Sequence, residues 1–307
     1  MNTIALQQNT IKQLQRLAAQ RQLYSSAKKV FATQVWLSGP LAVALAFLGI
    51  YMPSARGYIG LWTILLVLVD SFWLTPWQKA LRDRAARAQE LFDCDVLNLP
   101  WNTLKAGERL DPELVKEQSD QYGLWAHKMP PLENWYSVNG SDLPLPIARV
   151  ACQRSNCWWD SEQRKRYALI VVVSVTALLV TVIWVALVKQ STIEDLLIRA
   201  LVPMVPLFLL GFRQYSEQKD AAARMDKLKE HAGKLWLDAL SGQPPEEAIL
   251  AARNLQDEIF ESRRRSPLVF DFVFRRLQPT LEGQMNYGAE ELFQEARYKL
   301  RAAGNGS

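Results

Sequence analysis

Apolar residues in this chain fall into four long runs, and in the segment after the fourth they recur in steps of three and four. The first run, "VFATQVWLSGPLAVALAFLGIYM", lies between Lys29 and Arg56, an interval without a charged residue. It is long enough to cross about 30 Å of hydrocarbon as a helix. Pro40, just after Gly39, is placed to bend it, which neighbouring helices in a bilayer tolerate. The short turn "PSARG" leads into "GYIGLWTILLVLVDSFWLTPW", whose one internal charge is Asp70 and whose end carries Trp73 and Trp77 as an aromatic belt. The third run, Tyr167 to Val188, is free of charge. The fourth, from about Ile193 to Phe212, opens with Glu194, Asp195 and Arg199 and contains Pro203 and Pro206. Acids in a first turn suit a helix N-terminus, and an arginine there snorkels outward or lines a shared interior.

The pattern predicts a mainly α membrane protein with four transmembrane helices in two hairpins. Its segments are a basic N-terminal helix (1–30), hairpin 1 (31–77), an insert (78–166), hairpin 2 (167–213) and a helical C-terminal region (214–307). The insert begins as a charged helix, "QKALRDRAARAQELFD", then turns proline-rich, with "PIARVAC" as a short strand-like piece. In the C-terminal region, Met225, Leu228, Ala232, Leu235 and Ala239 form one apolar stripe, and Ala248, Ala252, Leu255 and Ile259 form a second. "SGQPPEE" separates them, so the two read as an antiparallel helix pair continuing down from the fourth span. A last helix covers "GAEELFQEARYKL".

Charge orients this arrangement. The mean hydropathy of −0.09 averages over two very different kinds of segment. The net charge of +5 is too small to imply nucleic acid by itself, and no DNA binding is expected. Its placement is more informative. Lys12, Arg16, Arg21, Lys28 and Lys29 precede span one; Lys79, Arg82, Arg84 and Arg87 follow span two. Arg164, Lys165 and Arg166 precede span three, and five basic residues from Arg213 to Lys229 follow span four. The two opposite turns offer Arg56 and Lys189. The positive-inside rule therefore puts both termini and the insert in the cytoplasm, with the first apolar run retained as a span. Cys94, Cys152 and Cys157 are an odd set without a CxxC, and His127 and His231 lie far apart. Neither a metal site nor a disulfide framework is expected.

Four features carry candidate chemistry. Asp93-Cys94-Asp95 has the DxD spacing that holds a divalent metal against a nucleotide diphosphate; it also fits a helix end with solvated or ion-paired acids. Asp70 is an intramembrane carboxylate, placed to line a pore, to pair with Arg199 or to bond within the bundle. Around "NCWWDS" gather Arg149, Arg154, Trp158, Trp159, Arg164, Lys165 and Arg166. Arginine forks bind phosphates and tryptophans stack on bases, which suits a nucleotide; a belt-and-core role fits the same residues. Trp158 and Trp159 stand about eight residues before Tyr167, roughly 12 Å if helical, which is deeper than a belt requires. Finally, "RRRSPLVFDFVFRRLQ" combines Arg263 to Arg265, alternating Phe270, Phe272 and Phe274, and Arg275 and Arg276, a segment fit to dock on the insert or on lipid headgroups. No Walker A, GxGxxG, HExxH or GxSxG motif is present, and no catalytic residues are assigned.

Together, the basic first helix, the two split hairpins, "FDCDVLNLPWN", "NCWWDS" with its basic neighbours and Tyr167, and "SPLVFDFVFRRLQ" resemble the SMODS-associating 4TM effectors, a family of pore-forming effectors. The resemblance spans nearly the whole chain. It implies a membrane effector of cyclic-oligonucleotide-based anti-phage signalling in the bacterial inner membrane, activated by a cyclic di- or trinucleotide from a cGAS/DncV-like nucleotidyltransferase. Such an effector would oligomerise with itself and permeabilise the bilayer, with no cofactor beyond its activating ligand. On this reading Arg154, Trp158, Trp159 and Arg164 contact the ligand, and Asp70 and Arg199 serve the membrane path. The alternatives are a DxD-type membrane glycosyl- or phospho-transferase using Asp93 and Asp95, and a non-gated membrane scaffold.

Overall fold

A computed structural model describes residues 2–304, and among them every regular element is helical. A short α1 (Ile4–Gln7) precedes α2 (Ile11–Trp36), which continues through a π-helical turn at Leu37–Leu41 into α3 (Ala42–Tyr51). After a single 3₁₀ turn at Pro53–Ala55, α4 (Arg56–Val69) returns, passes a second π turn at Asp70–Leu74 and becomes α5 (Thr75–Val96). The insert adds α6 (Thr103–Ala106), α7 (Pro112–Gly123) and a looped strap. Then come α8 (Leu145–Val188), α9 (Ile193–Asp195), a third π turn at Leu196–Leu201, α10 (Val202–Leu240), α11 (Pro245–Arg265) and α12 (Asp271–Gly304).

Four of the resulting rods are long and apolar enough to cross a membrane: Ile11–Gly49, Gly57–Val96, Leu145–Val188 and Ile193–Leu240. Little of their apolar stretches is buried within the protein. Leu61, Trp62, Ile64, Trp184 and Leu209 face outward, as lipid-contacting residues do. The buried core lies beyond the spans, where Leu17, Phe92, Ile147, Met225, Leu255 and Phe293 share one apolar cluster.

The three π turns have a common cause. A proline lacks an N–H, and its ring collides with the carbonyl four residues earlier. Pro40 lies inside the first turn, Pro76 two residues after the second and Pro203 two residues after the third. Widening the helix there relieves the collision without ending the span. Pro40 thus produces a π turn in a helix that otherwise continues.

Helix boundaries depart from the sequence reading in two places. The "PIARVAC" piece is the first turns of α8, a single helix of 44 residues that runs from the insert through span three. The last helix begins at Asp271 rather than near Gly288, so Phe272 and Phe274 lie on its first turn. The helix pair after span four is as expected, with α10 and α11 meeting at a turn where Gly242 takes φ +80°.

Spans three and four meet at Gly211. A methyl group built there would overlap Val175 Cγ2, a branched atom with little rotamer freedom. Small residues of this kind let membrane helices approach closely. Gly211→Leu is expected to cost about 1–3 kcal/mol by overpacking, read as a lowered melting temperature in detergent. An unchanged melt would remove Gly211 from the packing argument.

Candidate nucleotide-binding cavity

α2 carries an unusual stripe. Gln13, Arg16, Gln20, Tyr24 and Lys28 recur at helical spacing, and the first three are buried although polar. A buried polar side chain needs partners. Arg16 Nη1 meets Asp95 Oδ2 at 2.5 Å and the Leu91 carbonyl at 2.8 Å. Further along the stripe, Gln20, Tyr24 and Lys28 open onto a cavity of about 220 Å³.

Every membrane-crossing rod contributes to this cavity. α2 supplies Gln20, Arg21, Tyr24 and Lys28; α5 supplies Gln89; α8 supplies Asn156, Trp159, Asp160, Gln163 and Arg164; α10 supplies Met225. Further walls come from the strap at residues 131–135, from Arg263 of α11, from the Ser266–Val269 linker and from Phe274 of α12. Four cations and four aromatic rings therefore converge. Phe274 is central among them: its ring lies 5.6 Å from Trp159, 5.9 Å from the Arg21 guanidinium and 5.7 Å from Lys28 Nζ. Such cation–ring contacts hold a guanidinium flat against an aromatic face.

Each cation is anchored yet keeps donors to spare. Arg164 Nε donates to Asp160 at 2.9 Å, and its Nη1 donates to Gln218 Oε1 and to the Pro267 carbonyl. Arg21 Nη1 bonds Tyr122 and the Pro130 carbonyl. Lys28 pairs with Asp271 at 2.6 Å; burial pulls its pKa down against the pull of that carboxylate. Burial also pushes the Tyr24 phenol up to about 12, so it stays neutral and able to donate. Three buried polar atoms on the wall have no protein partner among the described residues: Gln20 Oε1, Gln163 Nε2 and Ser266 Oγ. Unsatisfied groups of this kind each carry a desolvation cost of about 1–3 kcal/mol, and here three belong to residues lining one cavity.

The candidates read from the sequence divide according to helix phase. Trp159 and Arg164 line the cavity. Arg154 and Trp158 lie outside its lining, half-buried on other faces of α8, because a step of one residue turns a helix by about 100°. Arg149 caps α5 instead: its Nε and Nη2 donate to the carbonyls of Leu97 and Asn98, where Asn98 takes the left-handed φ of +51°. Asp70 and Arg199 are not paired. Asp70 accepts from Gln34 Nε2 at 2.7 Å, whereas Arg199 pairs with Asp195 one turn away at 3.1 Å. Asp70→Ala is expected to cost about 1 kcal/mol, because Gln34 Nε2 and the Thr75 hydroxyl lose a shared acceptor while Gln34 keeps Thr75 Oγ1 at 2.9 Å, with Asp70→Asn retaining more of that stability. Equal melting temperatures for the two variants in detergent would contradict this. Gln20, Gln163, Tyr24 and Lys28 also line the cavity, and residue type alone does not mark them as ligand residues. For the three on α2, the signal is the polar stripe.

The acidic pair is structural. Asp93 lies within α5 rather than after a strand, and its side chain is fully buried. It accepts from Arg263 at 2.5 Å, from the Tyr136 hydroxyl at 2.6 Å and from Gln256 at 3.1 Å. Asp95 is engaged by Arg16, and among the described residues no cluster of ligands fits a metal ion. The DxD spacing is therefore used for ion pairing within the body.

The SMODS-associating 4TM effector domain matches residues 2–292 of the chain. The chain belongs to that family. Its four spans and helical extramembrane body are thus those of a 4TM effector, a multi-pass membrane protein. A protein of Bacillus cereus (strain VD146), named as a probable CBASS effector molecule, is 24% identical over 279 residues, covering 87% of this chain and 90% of its own. No solved structure matches the effector.

Proposed function

We propose that this 4TM effector acts in cyclic-oligonucleotide-based anti-phage signalling, binding a cyclic di- or trinucleotide in the cavity and permeabilising the inner membrane in response. The observation that carries the reading is that one cavity, lined by four cations and four aromatic rings beside Glu133, Asp160 and Glu282, is walled by extensions of all four spans. Guanidinium groups supply phosphate recognition, Trp159 and Phe274 supply stacking surfaces, and the unpartnered amides and hydroxyl supply polar contacts. A nucleotide there would touch the continuation of every membrane helix. The body lies in the cytoplasm, as the flanking basic residues favour, where a nucleotidyltransferase product is available. The relative named as a CBASS effector supports the same pathway.

Four spans are too few to enclose a wide pore, so permeabilisation requires several copies. The ligand acts by favouring the assembled arrangement of hairpins over the resting one. Moving such an equilibrium from 1:99 to 99:1 takes about 5.5 kcal/mol of differential binding. No catalytic step is part of this reading. The test combines two measurements. Purified effector in detergent is screened against cyclic di- and trinucleotides by thermal shift, and cells carrying the effector with or without its nucleotidyltransferase are scored by dye uptake. A ligand-specific melt increase with nucleotidyltransferase-dependent leakage is expected. Leakage that ignores the nucleotidyltransferase would defeat the gating claim.

A further inference from the structure

Gln163 is 5% exposed, lines the cavity and leaves its whole carboxamide unused. Its Nε2 is buried without a partner, and its Oε1 makes no hydrogen bond among the described residues. Neighbouring amides are more fully engaged. Gln153, also on α8, donates to the Ala252 carbonyl and to Gln256 although its Oε1 is unpartnered, and Gln218 on α10 joins Arg164 to the Leu268 carbonyl. Gln163 differs in using neither end of its amide and in lining the cavity, where a bound ligand could offset the cost of burying it.

Trp159 stands one helical turn before Gln163, on the same face of α8. A base stacked on that indole would present its edge to the following turn. The next polar positions on α8 are committed to each other, since Asp160 accepts from Arg164 at 2.9 Å. That pair fixes the guanidinium beside the base site; Asn156, the other α8 amide on the wall, donates to the Tyr136 hydroxyl, and Gln163 has its whole carboxamide free to read an edge. A free carboxamide offers one acceptor beside one donor. This is the complement of adenine, whose amine donates at N6 and whose ring nitrogen accepts at N7. Gln20 Oε1, likewise unpartnered and 7% exposed, adds a second acceptor suited to an exocyclic amine.

Building on the cyclic-nucleotide reading above, we infer that Gln163 is a specificity-determining residue that pairs bidentately with an adenine base stacked on Trp159, making the effector selective for an adenine-containing cyclic nucleotide. Gln163→Leu removes both hydrogen bonds at nearly constant volume. Gln163→Glu keeps the shape but offers two acceptors and no donor, the complement of the N1–H and N2–H groups of guanine.

The full-length effector in detergent is titrated calorimetrically with 3′,3′-cyclic di-AMP, cyclic tri-AMP and 3′,3′-cyclic di-GMP. An adenine ligand is expected to bind best, and Gln163→Leu to weaken it by about 10- to 100-fold. Gln163→Glu is expected to shift preference toward cyclic di-GMP, and it carries the test alone should the leucine variant not fold. Preference of the wild type for cyclic di-GMP, or a Gln163→Glu variant with unaltered preference, would overturn the assignment while leaving the cavity a nucleotide site. Failure of all three to bind the wild type would instead remove the proposed function, and this inference with it.

Discussion

Arg263→Met is expected to destabilise the extramembrane body by about 3–5 kcal/mol, the usual cost of stripping one partner from a buried ion pair. Asp93 has no exposed side-chain surface, and Glu90 is almost as deeply buried one turn away. The body tolerates two adjacent acids only because two arginines meet them. Arg263 binds Asp93, and Arg253 binds Glu90 at 2.6 Å and Asp257 at 2.8 Å, with Gln256 donating to both Glu90 and Asp93. Burial acts to lower the Arg263 pKa, and the Asp93 carboxylate more than offsets it, holding the guanidinium above its ordinary value. Burial likewise pushes the Glu90 carboxyl up, against the pull of Arg253. Without Arg263, Asp93 retains the Tyr136 hydroxyl and Gln256 but no countercharge. Melting of detergent-solubilised protein measures the loss. Asp93→Asn combined with Arg263→Met should recover much of it, because both charges then leave together. A double variant no more stable than the single one would show that the pair is not the source.

Trp159→Ala should weaken nucleotide binding by about 10- to 100-fold, corresponding to the loss of one base–aromatic stack worth roughly 1–3 kcal/mol. Trp158→Ala is the matched comparison. It removes the same side chain one residue away, on the same helix and with similar partial burial, but from outside the cavity lining. Its expected outcome is near-normal affinity and signalling. If both tryptophans only packed the body, both variants would melt earlier and neither would lose ligand selectively. Titration of each variant, with its unliganded melt as reference, separates the cases. Equal affinity losses for Trp158→Ala and Trp159→Ala would reject the phase assignment of α8.

The spans are legible in the sequence because a membrane helix announces itself locally: Tyr167–Val188 needs no partner to be recognised. The α10–α11 pair is legible for a similar reason, since each apolar stripe is contained in one helix. The cavity is only half legible. "NCWWDS" stands out through its residue types, but which of its members face inward depends on helix phase. From Ile147 to Val202 there is neither proline nor glycine, a sign that α8 starts well before the span and runs on unbroken. Arg263 and Asp93 are 170 positions apart, and Gln8 holds Tyr136 through paired amide bonds across 128 positions. Pairings of that range leave no local periodic mark. The buried polar stripe of α2 passes for a topology signal because charged and amide residues ordinarily face water.

The unbroken course of α8 has a mechanical consequence. Trp159, Gln163 and Arg164 sit on the same rigid rod as span three, with neither proline nor glycine between them and Val188. The stretch from Tyr167 to Val188 is about 33 Å long, so a tilt of about 10° around Tyr167 would swing its far end by about 6 Å. A side-chain-sized adjustment at the cavity would thereby be amplified into a displacement comparable to a helix radius. Under the proposed gating, α8 would work as a lever arm, and its partner across Gly211 would have to yield or follow.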